Sequence, residues 1–188
     1  MLPESGILKI AVIGPESTGK SSLCRRLAED FDAYHTEEYA RTYLEERNGH
    51  YTNDDLLEMA KGQCREEKSI SEKIQNESIG KKKTPLLFCD TDLHVIRIWS
   101  EIVFGNCNNR ILDLIALQHY DHYLLCAPDI AWVYDALREH PDPSMRIKIF
   151  NHYKDMLIHQ STTWTLIEGS YDLRMNEAKS VVEELMKK

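Results

Sequence analysis

The sequence lacks three features, and each absence narrows the class of protein. Its apolar runs are too short to cross a bilayer, and the first leads straight into a glycine-containing motif, so no signal peptide is expected. Its 31 acidic residues outnumber 23 basic ones and leave a net charge of −8, which argues against a broad nucleic-acid surface. No Cys-x-x-Cys pair occurs among its 5 cysteines, which predicts reduced thiols. We therefore expect a cytoplasmic protein without a nucleic-acid or membrane partner.

The length of 188 residues fits one domain better than two. A domain of this size buries about 70% of its unfolded surface and needs no disulfide. No repeat, low-complexity tract or linker divides the chain. We expect residues 1–188 to form a single domain, and the sequence leaves its oligomeric state open.

The strongest positive feature is a phosphate-binding motif at positions 14–21. The residues there read Gly-Pro-Glu-Ser-Thr-Gly-Lys-Ser, a complete Gly-x-x-x-x-Gly-Lys-Ser P-loop. An apolar run at 7–13 precedes it and a helix-like segment at 22–28 follows it, which is the strand–loop–helix context that the motif requires. The sequence therefore predicts a nucleoside triphosphate site, with ATP and Mg²⁺ as the expected ligands.

Each residue type in the motif has a chemical reason. Glycines let backbone N–H groups turn inward around phosphate, and the helix N-terminus adds unpaired donors and partial positive charge. Lys20 is expected to reach the β and γ phosphates, and the Ser21 hydroxyl to ligate magnesium. The predicted nucleotide-binding residues are Gly14, Glu16, Ser17, Thr18, Gly19, Lys20, Ser21 and Ser22.

Short apolar stretches alternate with longer amphipathic segments along the chain. The apolar stretches lie at 7–13, 33–36, 86–89, 130–134 and 164–167, and the clearest candidate helices lie at 53–79, 92–104 and 172–187. Near-continuous apolar runs are typical of strands buried on both faces of a parallel sheet. The alternation predicts an α/β fold of the P-loop NTPase type, a doubly wound five-stranded parallel sheet with helices on both faces.

The segment 52–80 is the most polar of the predicted helices. Thr52 and Asp55 form a capping-box-like start for it. Because few of its residues are apolar, we expect this segment to project from the body of the domain.

A second acidic site follows the third apolar stretch. Asp90 and Asp92 stand at the carboxyl end of a predicted strand, where α/β sheets bind ligands. Asp90 is expected to hold magnesium together with Ser21, although the two acids could instead end the strand and cap the next helix. Thr91 stands where motor ATPases carry a water-activating glutamate, so the pattern favours transfer to a bound hydroxyl over hydrolysis. Asp92 is then a candidate base or acceptor-orienting residue.

Polar residues after the second apolar stretch are expected to face the cleft across from the P-loop. Glu38 could hold a ribose hydroxyl, Tyr39 could stack on a flat ring, and Arg41 could balance phosphate charge. These residues fit an ordinary helix start equally well, because Glu37 and Arg41 have the i, i+4 spacing of an ion pair. The sequence leaves both interpretations open.

A polar segment with two prolines follows the fourth apolar stretch. We expect residues 136–146 to form a lid that carries Arg138 and Arg146 over the triphosphate, expels water and neutralises the transition state. A surface loop with solvated arginines is the alternative.

The order of these motifs resembles the nicotinamide riboside kinase domain of the bacterial NAD-biosynthesis protein NadR. The resemblance spans nearly the whole chain and is carried by the P-loop, Glu-Tyr-Ala-Arg at 38–41, Asp-Thr-Asp at 90–92 and Trp-Val-Tyr-Asp-Ala-Leu-Arg at 132–138. It implies a nucleoside-kinase-like fold with a lid. It also implies transfer of the γ-phosphate of ATP to the 5′-hydroxyl of nicotinamide riboside. That family often has an aromatic residue where this chain has Glu37.

The resemblance also implies roles for individual residues. The implied catalytic set is Lys20, Asp92, Arg138 and Arg146, and the implied substrate set is Glu38, Tyr39, Arg41 and Asp92. Ser21 and Asp90 make up the implied magnesium site.

Two other functions stay open at this point. One is a kinase of another nucleoside or polar metabolite, and the other is an ATP-binding regulatory switch. The chain has no Asn-Lys-x-Asp motif, which weakens a GTPase switch, and no Leu-Ser-Gly-Gly signature, which weakens a motor-type ATPase.

Overall fold

The computed structural model describes residues 6–78 and 84–187. The sequence Gly-Lys-Lys-Lys-Thr-Pro at 80–85, from which we predict a turn, therefore lies mostly outside the described residues. None of the helices in the described part of the chain is both long and apolar enough to span a membrane.

Five parallel strands form one sheet, which confirms the predicted fold class. The strands are β1 (Leu8–Ile13), β2 (Tyr34–Thr36), β3 (Leu86–Asp90), β4 (His122–Cys126) and β5 (Thr163–Ile167), in the spatial order β2-β3-β1-β4-β5. The chain leaves β1 towards one edge of the sheet and leaves β3 towards the other. The carboxyl ends of β1 and β3 therefore flank the switch point, where folds of this kind bind ligands.

Seven helices cover the sheet in the described residues. They are α1 (Lys20–Phe31), α2 (Tyr39–Glu45), α3 (Asn53–Glu77), α4 (Leu93–Phe104), α5 (Asn109–Leu117), α6 (Pro143–Ile158) and α7 (Tyr171–Leu185). Alternate residues of β1 pack on opposite faces, Ile10 and Val12 against α1 and α7, and Ala11 and Ile13 on the face covered by α3, α4 and α6. Burial on both faces explains why β1 is apolar without a break.

The predicted fourth strand is wrong. Residues 130–134 lie in the connection between β4 and α6, where Tyr134 is 84% exposed. The strand is His122–Cys126, which pairs with β1 and β5 and is buried throughout. Its first residue, His122, makes the strand hard to recognise in the sequence, because a histidine is more typical of a helix surface than of a buried strand. The fold accommodates His122 between the hydroxyls of Thr163 and Thr165, at 2.7 and 2.9 Å from its two ring nitrogens.

The prediction that segment 52–80 projects from the body is also wrong within the described residues. The helix starts where expected, with the Thr52 N–H donating to the Asp55 carboxylate at 2.8 Å, but α3 then packs against α2, α4, α5 and β2. Its polar residues contribute to that packing. Buried Glu67 accepts from the Lys9 ammonium of β1 at 2.7 Å and from the Tyr120 hydroxyl at 2.9 Å. A buried carboxylate with such partners joins a polar helix to an apolar sheet.

Candidate active site

The P-loop leaves the end of β1 in a conformation that depends on glycine. Gly14 has φ 143°, and a Cβ built on it would lie 2.5 Å from the Cys126 carbonyl oxygen of β4. No larger residue fits there without moving the strand. Gly19 has φ 79° and forms the N-cap of α1 without a side-chain cap, so the first N–H groups of the helix remain available to an anion.

Side chains of the P-loop support the same cradle. The Thr18 hydroxyl and the Lys20 ammonium both donate to the Pro15 carbonyl, at 2.8 and 2.9 Å. Ser17 has a left-handed backbone with φ 56°, which is uncommon for a residue other than glycine. Gly14 to Ser22 form one continuous wall of a cleft that contains about 1070 Å³ of empty space, open solvent included.

Asp90 at the end of β3 has the properties of a magnesium ligand. It pairs in register with Val12, the second-last residue of β1, and only 1% of its surface is exposed. Neither carboxylate oxygen has a hydrogen-bond partner among the described residues. Burial and the nearby charge of Glu38 raise the pKa of Asp90 to about 7, against the opposing effects of the Ser21 hydroxyl and the Lys20 charge. A buried oxygen pair without donors, next to a serine hydroxyl, fits the hard cation Mg²⁺.

The raised pKa gives a prediction for the metal-free protein. The pKa of Asp90 is 3.8 in the unfolded chain and about 7 in the folded protein. Between these two pH values the folded protein binds the proton and the unfolded chain does not, so the free energy of unfolding falls as the pH rises from about 4 to about 7. A tenfold change in proton affinity is worth about 1.4 kcal/mol, so the loss amounts to about 4 kcal/mol at most. Asp90→Asn should remove this part of the pH dependence.

Urea unfolding of both proteins in chelator, from pH 4 to pH 8, measures the difference. Wild type and Asp90→Asn should be closest in stability at pH 4 and should diverge towards pH 8, with the variant more stable. Parallel stability curves would show that the Asp90 carboxyl is not under this constraint.

Asp92 caps a helix, which was one of the two predicted alternatives. Its Oδ1 accepts from the Val95 N–H at 3.3 Å at the start of α4, and its side chain is buried near Tyr123 of β4. Asp92 is not among the residues that line the cleft. Burial raises the pKa of its carboxyl. Its predicted role at the acceptor stays a prediction, and the cap gives the residue a structural reason to be there.

The rest of the cleft is a largely apolar chamber beside the P-loop. Its apolar walls come from α2, α4, α6 and the segment after β4: Ala40, Leu44, Val95, Ile98, Trp99, Ile102, Leu137, Ile149 and Tyr153. Glu38 and Arg41 line the same cleft. The charge of Glu38 contributes to the raised pKa of Asp90, which couples this cleft residue electrostatically to the proposed metal site. Arg41 is ion-paired with Asp135 at 2.7 Å and with Glu45 at 3.2 Å.

Tyr39 is placed differently from its predicted role in ring stacking. It is not among the lining residues of the cleft, and its ring packs against Gly62 of α3. Its backbone N–H donates to the Gln63 side-chain carbonyl at 2.9 Å. Tyr39 therefore joins α2 to α3.

Gly62→Ala tests this packing. In a helix, alanine is normally more stable than glycine by about 1 kcal/mol. A Cβ on Gly62, however, would meet the Tyr39 ring at 1.9 Å. We expect a net loss of about 2 kcal/mol in the free energy of unfolding, because overpacking outweighs helix propensity. Denaturant unfolding measures it. In a Tyr39→Ala background the same substitution should become stabilising, and a loss in both backgrounds would contradict the contact.

The two predicted lid arginines differ in their surroundings. Arg146 is in the first turn of α6, is 4% exposed, and donates to the carbonyls of Glu16 and Ser17 at 3.3 and 3.1 Å. Arg138 precedes that helix, lines the cleft, and donates to the Ser17 hydroxyl at 3.4 Å. Residues 143–146 of the predicted lid are therefore helical, because Asp142 caps α6. Both guanidinium groups lie over the Trp132 ring. Arg138 is 5.8 Å and Arg146 is 5.6 Å from the ring centroid.

Sequence reasoning missed a further arginine that supports the P-loop. Arg174 of α7 is 2% exposed and donates to the carbonyls of Thr18, Ala127 and Gly169 at 3.0, 2.8 and 2.8 Å. It is also ion-paired with Asp129. The available signal was a charged residue next to Met175 on the buried side of the last helix. Such a residue needs several acceptors to be buried.

These features define the chain as a P-loop domain whose phosphate cradle opens into a wider, largely apolar cleft. It belongs to the family described as AAA domain, whose model matches residues 9–174.

Named relatives agree with the resemblance inferred from the motifs. The trifunctional NAD biosynthesis/regulator protein NadR of Salmonella typhimurium is 25% identical over 184 residues, and so is that of Escherichia coli. Each match covers 94% of this chain and 42% of the relative, so the chain spans less than half the length of these relatives.

Solved structures share the fold of this chain. A crystal structure of NadR in complex with NR has a TM-score of 0.77 and 24% identity, with 97% of this chain and 50% of that chain covered. Thymidylate kinase from Ehrlichia chaffeensis has a TM-score of 0.62 and 15% identity, with 94% and 99% covered. The predicted resemblance to NadR is confirmed.

Proposed function

We propose that the protein is a magnesium-dependent kinase that transfers the γ-phosphate of ATP to the 5′-hydroxyl of nicotinamide riboside and so forms nicotinamide mononucleotide. The observation that carries this proposal is the common cleft. One wall is the P-loop cradle, and the rest of the same cleft is largely apolar and carries a carboxylate, Glu38, whose charge acts on Asp90. A hydrolase needs no space beyond the cradle, whereas a kinase needs room for an acceptor.

The chain's own residues divide the work. The backbone N–H groups of 16–22 and the Lys20 ammonium hold the triphosphate. Ser21 and Asp90 would hold Mg²⁺, which supplies charge neutralisation at the phosphates. Arg138 lines the cleft and balances charge on the transferred group. The acceptor oxygen bonds to the γ-phosphorus as the bond to the bridging oxygen breaks, ADP leaves, and the acceptor proton passes to Glu38.

Nicotinamide riboside is the proposed acceptor for two reasons. A NadR structure carries NR, and this chain has the same fold. A flat ring with a ribose also suits an apolar chamber that contains Trp99 and ends at the carboxylate of Glu38. Glu37, which replaces an aromatic residue of the NadR pattern, is exposed in this structure. That residue favours the second candidate, a kinase of another nucleoside.

An acceptor screen tests the proposal. ATP consumption should rise at least about a hundredfold when nicotinamide riboside is added with magnesium, since the chamber is then filled by the nucleophile. Thymidine, deoxyadenosine, cytidine and uridine serve as comparisons. A larger rise with one of these would transfer the assignment to that nucleoside. Equal turnover with and without every acceptor would favour the regulatory switch.

The proposal also covers the location of the protein, its partners and the extent of the domain. We place the protein in the cytoplasm, acting on a small molecule and without a nucleic-acid or membrane partner. Residues 1–188 act as one kinase domain, and the predicted lid at 136–146 covers the nucleotide, with residues 143–146 fixed in the first turn of α6.

A further inference from the structure

Glu16 is an unexpected residue to find in a phosphate cradle. It occupies a variable position of the P-loop, and its side chain is half-buried. A carboxylate at this position repels the polyphosphate that the cradle is built to bind. The structure shows where its charge is compensated. The two carboxylate oxygens accept separate hydrogen bonds from the backbone N–H groups of Glu139 and His140, at 3.2 and 3.0 Å.

The segment that Glu16 holds also carries Arg138. The Arg138 guanidinium donates to the Ser17 hydroxyl and to the Val133 carbonyl. Ser17 in turn accepts the Val133 N–H at 2.9 Å. The backbone on both sides of Arg138 is thus joined to positions 16 and 17 of the P-loop, so that the guanidinium is directed towards the cradle.

The same segment reaches the acceptor chamber. The side chain of Glu139 accepts from the Tyr51 hydroxyl at 2.8 Å and from the Trp99 indole N–H at 3.2 Å. Trp99 lines the chamber, and its ring lies 4.7 Å from that of Tyr51. Glu139 therefore binds the P-loop through its backbone and the chamber wall through its side chain.

We propose that Glu16 is a positioning residue whose carboxylate holds the backbone of residues 139–140 so that Arg138 stays over the phosphate cradle. Its catalytic consequence rests on the proposed kinase function, but the hydrogen bonds it makes do not. Glutamate suits this position because two oxygens accept two neighbouring N–H groups. Glutamine retains one acceptor and presents a donor to the other N–H, and alanine retains neither.

Hydrogen–deuterium exchange of the whole protein tests the structural half. In Glu16→Ala, peptides that contain residues 139–140 should exchange about tenfold to a hundredfold faster, since hydrogen bonds to a charged acceptor are lost. Glu16→Gln should be intermediate. Peptides from β1, β4 and α7 should be unchanged, which shows that the variants fold. Glu29→Gln, an exposed glutamate on α1, is the matched control. Unchanged exchange at 139–140 would overturn the proposal whether or not the protein is a kinase.

A double-mutant cycle tests the catalytic half. Glu16→Ala and Arg138→Ala should each lower kcat by at least about tenfold, and Glu16→Ala should have little further effect in the Arg138→Ala background. Non-additivity of this kind is expected when one residue acts through another. Additive losses with normal exchange at 139–140 would show that Glu16 acts on the nucleotide directly. If no acceptor is phosphorylated, the kinase proposal fails while the exchange result still decides the role of Glu16.

Discussion

Lys20→Ala is expected to reduce phosphoryl transfer by at least about a thousandfold while the protein stays folded. The Lys20 ammonium lies within the cradle, 2.9 Å from the Pro15 carbonyl, and it is the lysine of the P-loop motif. Charge that develops on the transferred phosphate would lose its nearest cation. The fold should tolerate the change, because Lys20 is only partly buried and the Pro15 carbonyl still accepts from the Thr18 hydroxyl.

Steady-state kinetics and thermal unfolding of the same preparations measure the two effects. Lys61→Ala removes a partly exposed lysine from α3 and is the control, with wild-type kinetics expected. Phosphorylation retained within tenfold by Lys20→Ala, at an unchanged melting temperature, would contradict the assignment of the cradle.

Glu38→Gln is expected to lower kcat by about a hundredfold or more and to leave ATP affinity nearly unchanged. A positioned general base contributes about 10² to 10⁴ in rate. Glu38 lines the same cleft as the P-loop and its charge acts on Asp90, so we propose that it takes the proton of a hydroxyl that approaches the γ-phosphate from the chamber. Glutamine keeps the shape of the side chain and one acceptor oxygen but cannot take the proton.

Asp92→Asn is the matched comparison for Glu38→Gln. Asparagine retains the oxygen that caps α4, so the fold should be preserved. We expect a loss of less than about tenfold in kcat, because a residue that acts as a helix cap does not take the acceptor proton. A hundredfold loss in Asp92→Asn with a small effect in Glu38→Gln would reverse the two roles.

The sequence was sufficient for the parts of the fold that depend on local pattern. Parallel strands with two buried faces are read from apolar runs, which is why β1 and β3 were predicted close to their observed bounds. The apolar run at 164–167 also indicated β5, although that edge strand is only partly buried. His122 makes the start of β4 hard to recognise, because the hydroxyls of Thr163 and Thr165 that contact its ring lie 41 and 43 positions further along the chain. The packing of α3 depends in the same way on Lys9 and Tyr120, which the helix sequence does not reveal.

The residues of the candidate site fall into the same two groups, those placed by a local motif and those placed by contacts with distant segments. The P-loop and Asp90 were predictable, since motif spacing and strand ends determine their positions. The orientations of Tyr39 and Asp92 were not, because they depend on Gly62 in another helix and on the cap of α4. The contact between Glu16 and the backbone of residue 140 joins segments that are 124 positions apart, and no local pattern indicates it.

We propose that this cleft passes a phosphoryl group to a small alcohol and not to water. ATP labelled in its γ-phosphate, incubated with the protein, magnesium and nicotinamide riboside, tests it most directly. We expect the label to be recovered as a phosphomonoester on the riboside, one for each ADP formed. Label recovered only as inorganic phosphate, at a rate that the riboside does not alter, would contradict it.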